Sequence, residues 1–90
     1  MKEFTNKVAV ITGAAGGIGL ALAEHAVQEG MKVVISDIRA TTLAEAAAKL
    51  RAAGGDVTAV VADVRKPEDI QALYQKAIDT YGKVNLLVNN

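Results

Sequence analysis

Apolar positions along this chain fall into two alternating kinds of segment. Short runs rich in β-branched residues, "VAVIT" at Val8 to Thr12, "KVVISD" at Lys32 to Asp37, "VTAVVAD" at Val57 to Asp63 and "NLLVN" at Asn85 to Asn89, read as four strands. Between them lie alanine-rich stretches whose apolar residues recur at helical spacing. The first, Ile18 to Glu29, ends near Gly30, and the second, about Thr42 to Ala53, puts Leu43, Ala46, Ala47 and Leu50 on one face and stops at Gly54 and Gly55. The third, Pro67 to Tyr81, opens with proline at the first helical position and sets Glu68 and Asp69 against the positive end of its dipole. Its apolar stripe is Ile70, Leu73, Tyr74, Ala77 and Tyr81, while Lys66 stands where a capping Ser or Asp is expected.

Near-continuous apolar strands suit a parallel sheet covered on both faces, and right-handed crossovers then give a βαβαβαβ unit. The predicted fold is α/β, half of a doubly wound parallel sheet with strand order 3-2-1-4. In that order "NLLVN" forms an edge, yet it puts Leu86 and Val88 on one face and Leu87 on the other, the pattern of an interior strand. The expectation is that residues 1–90 are the amino-terminal segment of a larger domain.

The turn after the first strand, "TGAAGGIG", holds four glycines, at Gly13, Gly16, Gly17 and Gly19. Glycine costs roughly 0.5 to 1 kcal/mol against alanine inside an element, so such a cluster points to a backbone that takes positive φ or admits a close neighbour. At the carboxyl edge of a parallel sheet the helix amides and dipole face a phosphate. Gly13 then permits the tight turn, Gly17 the approach of a pyrophosphate, and Gly19 the close packing of helix on strand, with Ile18 between them. Asp37 ends the second strand 18 residues after Gly19, close to the separation at which a carboxylate accepts hydrogen bonds from an adenosine ribose, and Ile38 follows it. Turn and carboxylate together predict dinucleotide binding.

Composition narrows the field. Ten basic and ten acidic side chains cancel, with neither sign massed in a run, so no nucleic-acid groove or anionic membrane surface is indicated. Absence of cysteine excludes thiol catalysis and thiolate metal sites, and the single histidine, His25, has no cluster of metal ligands around it in sequence. The expected location is cytoplasmic, since no stretch approaches the ~20 apolar residues of a membrane span.

These residues resemble the short-chain dehydrogenase/reductase family over essentially the whole chain. "TGAAGGIG" is similar to its TGxxxGxG turn, carried by Thr12, Gly13, Gly17 and Gly19; "AD" followed by Val64 resembles its adenine contact; and "LLVNN" resembles the start of its NNAG motif. The resemblance implies that Asp63 meets the exocyclic amine, that Val64 lies against the ring, and that Asn89 and Asn90 support the sheet beside the cofactor ribose. It implies an oxidoreductase moving hydride between a nicotinamide cofactor and a small alcohol or carbonyl substrate, in a homo-oligomeric parent. The doubled Gly16 and Gly17 also satisfy TGxxGxxG, the pattern of the extended branch of sugar-nucleotide epimerases and dehydratases, but "VNN" favours the simple branch. A stand-alone dinucleotide-binding module without catalysis is the other alternative.

NAD is expected over NADP, because Asp37 faces the extra phosphate with like charge; Arg39, two residues on, is the one basic group placed to oppose this. The Tyr-x-x-x-Lys pair that the resemblance implies for proton exchange is absent: Tyr74 is followed four residues later by Ile78, and Tyr81 by Asn85. Ser36, the only serine, reads as strand packing. No catalytic residue is assigned, and the 90 residues alone are expected to be inactive.

Overall fold

Four short β-branched runs in one chain have to find partners for their backbone amides, and here they do so in a single parallel sheet of order β3-β2-β1-β4. The computed structural model describes residues 2–90. After a 3-10 turn at Lys2–Phe4 come β1 (Val8–Thr12), α1 (Gly17–Gln28), β2 (Lys32–Asp37), α2 (Ala40–Ala52), β3 (Asp56–Val61), α3 (Pro67–Tyr81) and β4 (Leu86–Val88). The observed class and strand order are the predicted ones.

Register follows from the two-residue period of the strands. Val10 pairs Val34 and Leu87, while Ile11 pairs Ile35 and Val88, so successive rungs send their side chains to opposite faces. On one face Ala9, Ile11, Val33 and Ile35 pack against Ala23, Ala26, Leu43 and Leu50 of α1 and α2. On the other, Val10 and Val34 meet Leu73 and Ala77 of α3 alone. Full burial of a side chain such as Leu73 contributes about 2 kcal/mol, so this one-helix face is the thinner of the two.

Element ends differ from the sequence reading for local reasons. α2 starts at Ala40 rather than Thr42, since Arg39 takes an extended backbone (φ −91°, ψ 99°) and its carbonyl already accepts the Leu43 amide. β3 starts at Asp56 and leaves the ladder at Val61, two residues before Asp63, although the Ala62 amide still reaches the Asp37 carbonyl at 3.2 Å. β4 is shorter by a residue at each end: the Asn85 side chain replaces a ladder carbonyl, accepting the Val8 amide at 2.8 Å, and at the other end the Asn89 side chain accepts from the Thr12 hydroxyl at 3.1 Å. Nor does the stripe of α3 hold throughout: Leu73 and Ala77 are buried, whereas Ile70 is 36% exposed, as expected where one helix covers the middle of a sheet. Lys66 gives the helix no side-chain cap, and Asp69 turns back to the preceding loop, its Oδ2 accepting the Asp63 amide at 2.9 Å and fixing the approach to the helix.

Ser36 is packed as the pattern suggests, fully buried on the α3 side, but among the described residues its Oγ finds no hydrogen-bond partner. A buried hydroxyl without a partner is a net cost. Ser36→Ala is therefore expected to raise the unfolding free energy by about 1 kcal/mol in urea denaturation; a loss of that size instead means the hydroxyl is bonded.

Candidate functional site

Because all four strands run the same way, the βα turns gather at one edge of the sheet. In the first, Gly13 has φ +63° and Gly17 φ +57°, values that glycine holds without strain. Gly19 has a different requirement. A Cβ there stands 2.8 Å from the Gly13 carbonyl carbon, in collision with the carbonyl oxygen, and 2.9 Å from Asn90 Nδ2. The helix therefore rests on the turn's own carbonyl and on Asn90, where the sequence reading has it against the strand.

Gly16 and Gly17 border open space, with nothing within 4 Å of a Cβ placed on either. α1 begins there with no side-chain cap and no acidic residue in its first turn. Its leading amides lack intrahelical partners and its dipole is uncompensated, so this end presents unneutralised partial positive charge. Below it, β1 and β4 are stitched by Thr12, whose hydroxyl lies 3.1 Å from Asn89 Oδ1 and accepts the Asn90 amide at 3.1 Å. Asn90 Nδ2 in turn donates to the Gly13 carbonyl at 3.2 Å.

Asp37 is 6% exposed and faces the same turn. Its Oδ2 accepts the Ala15 amide at 3.2 Å, and its Oδ1 accepts the Arg39 amide at 3.0 Å. The Arg39 side chain adds Nε to Oδ1 at 3.1 Å and Nη2 to Oδ2 at 3.3 Å. That guanidinium, helped by the two amides and opposed by burial, holds the carboxyl below the usual aspartate range. Asp63 repeats the arrangement one strand over: Arg65 donates its amide and Nε to Oδ1 at 2.9 and 3.0 Å, and Nη2 to Oδ2 at 2.9 Å. Hydrogen bonding to the Arg65 side chain, with its amide behind it, lowers the Asp63 pKa to about 2.

Gly13, Asp37, Ile38, Asp63 and Val64 line one open cleft of about 380 Å³, together with Ala62, Arg65 and Asn90. Of the other predicted positions, Thr12 and Asn89 form the seam beside it, Gly19 is buried under the turn, and Gly17 and Ile18 stand outside the lining at the tip of α1, where Ile18 is 72% exposed. The arginine clips were not anticipated, although "DIR" and "DVR" repeat the same spacing after two strands. Neither aromatic hydroxyl belongs to the cleft lining, and Tyr81 binds Thr58 and Asp56 at the opposite end of β3, at 3.1 and 2.9 Å. Burial pushes its phenol up. Among the described residues no helix is long and apolar enough to cross a membrane.

A parallel sheet of order 3-2-1-4, with a glycine turn opening its first helix and an acidic residue ending its second strand, defines a Rossmann-like half-domain. The chain belongs to the short chain dehydrogenase family, whose model matches residues 7–90. It is 46% identical over 82 residues to 1-deoxy-11-beta-hydroxypentalenate dehydrogenase of Streptomyces avermitilis, covering 91% of this chain and 30% of that protein. It is 40% identical over 88 residues to cyclohexanol dehydrogenase of an Acinetobacter species, covering 98% and 35%. A short chain dehydrogenase/reductase from Burkholderia phymatum in complex with NAD superimposes with a TM-score of 0.93 at 47% identity, over 97% of this chain and 31% of that one. A variant actinorhodin polyketide ketoreductase with NADPH gives 0.92 at 36% identity, over 94% and 33%. The chain thus spans about a third of the length of these relatives.

Two outcomes are expected. The Asp63 carboxyl carbon should titrate by NMR with a midpoint near pH 2, and Arg65→Ala should return it toward 3.8. Since the folded pKa is depressed, its stabilising effect is complete above pH 3.8 and is lost as pH falls through about 2. Gly19→Ala should lower stability by about 2 kcal/mol in urea, because the obstructing atoms are backbone; unchanged stability would show that the helix can lift off the turn.

Proposed function

We propose that the cleft binds a nicotinamide dinucleotide, and that the parent protein is an oxidoreductase acting on a small alcohol or carbonyl. One observation carries the reading. The buried Asp37 carboxylate, which lines the cleft, is tied by the Ala15 amide on its Oδ2 to the turn that leads into the uncapped start of α1, open at Gly16 and Gly17. An anion seat a short backbone span from a fixed carboxylate suits a pyrophosphate joined to a ribose. The residues fit such a group: Gly13, Gly17, Ile18 and Gly19 shape the phosphate turn, Asp37 and Ile38 meet the ribose, Asp63 and Val64 the adenine, and Thr12 and Asn89 brace the seam.

When bound, the nicotinamide supplies hydride exchange. This chain's part is to hold and orient the dinucleotide, since it carries no Tyr-x-x-x-Lys pair. Purified alone, the 90 residues should bind cofactor without turning over an alcohol panel. NAD is the preferred form, because a 2′-phosphate meets the Asp37 charge, and the absence of cysteine suits a cytoplasmic setting.

Competitive titration of NAD and NADP into the wild-type chain and Asp37→Ala tests the assignment. A hydrogen bond to a charged group is worth roughly 1.5 to 3 kcal/mol, so an NAD preference of about 10- to 100-fold is expected and should collapse in the variant. Equal wild-type affinities would remove Asp37 from the ribose site.

A further inference from the structure

A carboxylate offers about four acceptor positions, two on each oxygen. In Asp37 all four are taken: Oδ1 by the Arg39 amide and Nε, Oδ2 by the Ala15 amide and Arg39 Nη2. A ribose diol that binds there has to exchange with something. The Ala15 amide belongs to the glycine turn and the Arg39 amide to the N-cap of α2, so both are fixed by backbone packing. The guanidinium is free to leave. Arg39 is 59% exposed at its side chain against 5% for Asp37, and an exposed arginine regains water when the pair opens.

We infer that Arg39 is a displaceable occupant of the ribose position, a specificity residue that competes with NAD for Asp37 and, once displaced, favours a 2′-phosphorylated ribose. The inference rests on the reading of Asp37 as the ribose acceptor. Released from the carboxylate, the guanidinium stays tethered two residues along the chain from Asp37, which lines the cleft. NAD has to break two side-chain bonds and gains nothing from the liberated charge. NADP breaks the same bonds, but its extra phosphate meets a cation. The clip therefore narrows the NAD preference that Asp37 creates. Arg65 holds Asp63 in the same way and stands 80% exposed, which makes it the internal comparison: it clips a carboxylate that does not face the ribose in this reading.

The test measures NAD and NADP affinities by calorimetry for the wild-type chain, Arg39→Ala, Arg39→Gln and Arg65→Ala, with circular dichroism confirming that each variant keeps its helices. Loss of an exposed ion pair frees up to about 1 kcal/mol, so Arg39→Ala should bind NAD up to about five-fold more tightly and NADP more weakly. Arg39→Gln should fall between, and Arg65→Ala should leave the NAD-to-NADP ratio at its wild-type value. NAD added to the wild-type chain should also move the Arg39 Nε–H resonance to the position of an unpaired arginine. If wild type binds NAD but Arg39→Ala binds it equally or less tightly, or the Nε–H signal stays in place, the inference is overturned while the cofactor reading stands. If neither wild type nor any variant binds a dinucleotide, the cofactor reading falls and takes the inference with it.

Discussion

A missing Cβ at Gly19 lets α1 lie on the carbonyl of Gly13, and the rest of the site is arranged around that contact. With the helix seated so low, its first amides open at the sheet's edge rather than behind a loop. The same seat brings the Ala15 amide to Asp37 and sets the Asn90 carboxamide on Gly13. Strand, turn, helix and neighbouring carboxylate are thus positioned by an absence of atoms. Alanine occupies positions 14 and 15 of the turn, but at position 19 even one methyl group meets backbone.

The electrostatics complement this geometry. α1 leaves its positive end bare, whereas α3 neutralises its own with Glu68 and Asp69, one of which also fastens the loop before it. The cleft's two carboxylates are neutralised within the chain by arginines two residues on, so neither stands as an uncompensated charge. The backbone amides and the exposed guanidinium on Asp37 differ in kind: the first belong to the turn and to the start of α2, the second to a side chain that reaches back from two residues on.

Much of this was legible in the sequence, and the reason is that it depends on period and spacing. Strands buried on both faces cannot hide their β-branched runs, and helices on a sheet show their stripe; the turn's glycines announce themselves by their cost. What escaped depends on turns. "DIR" and "DVR" close into ion pairs in the turns that follow β2 and β3, where Asp37 is the last strand residue and Asp63 already lies beyond the ladder, and strand or helix periodicity does not report that geometry. The early end of β3 has the same origin, since Asp63 is turned toward Arg65 rather than along the strand. Exchange of a ladder carbonyl for the Asn85 side chain, which trims β4, leaves no trace in hydropathy at all.

The seam between β1 and β4 has a further meaning in time. Thr12 meets Asn89 and Asn90 across 77 and 78 residues of chain, the longest hydrogen-bonded separations in this end of the sheet. Contacts between adjacent βα units close short loops, but this one closes a loop of 77 residues, and such closures come late because their entropy must be overcome before they are rewarded. Asn90 is also what fixes the Gly13 carbonyl on which α1 rests. During synthesis, the glycine turn is therefore made well before the strand that fixes it, and it acquires its final shape only when Asn89 and Asn90 arrive.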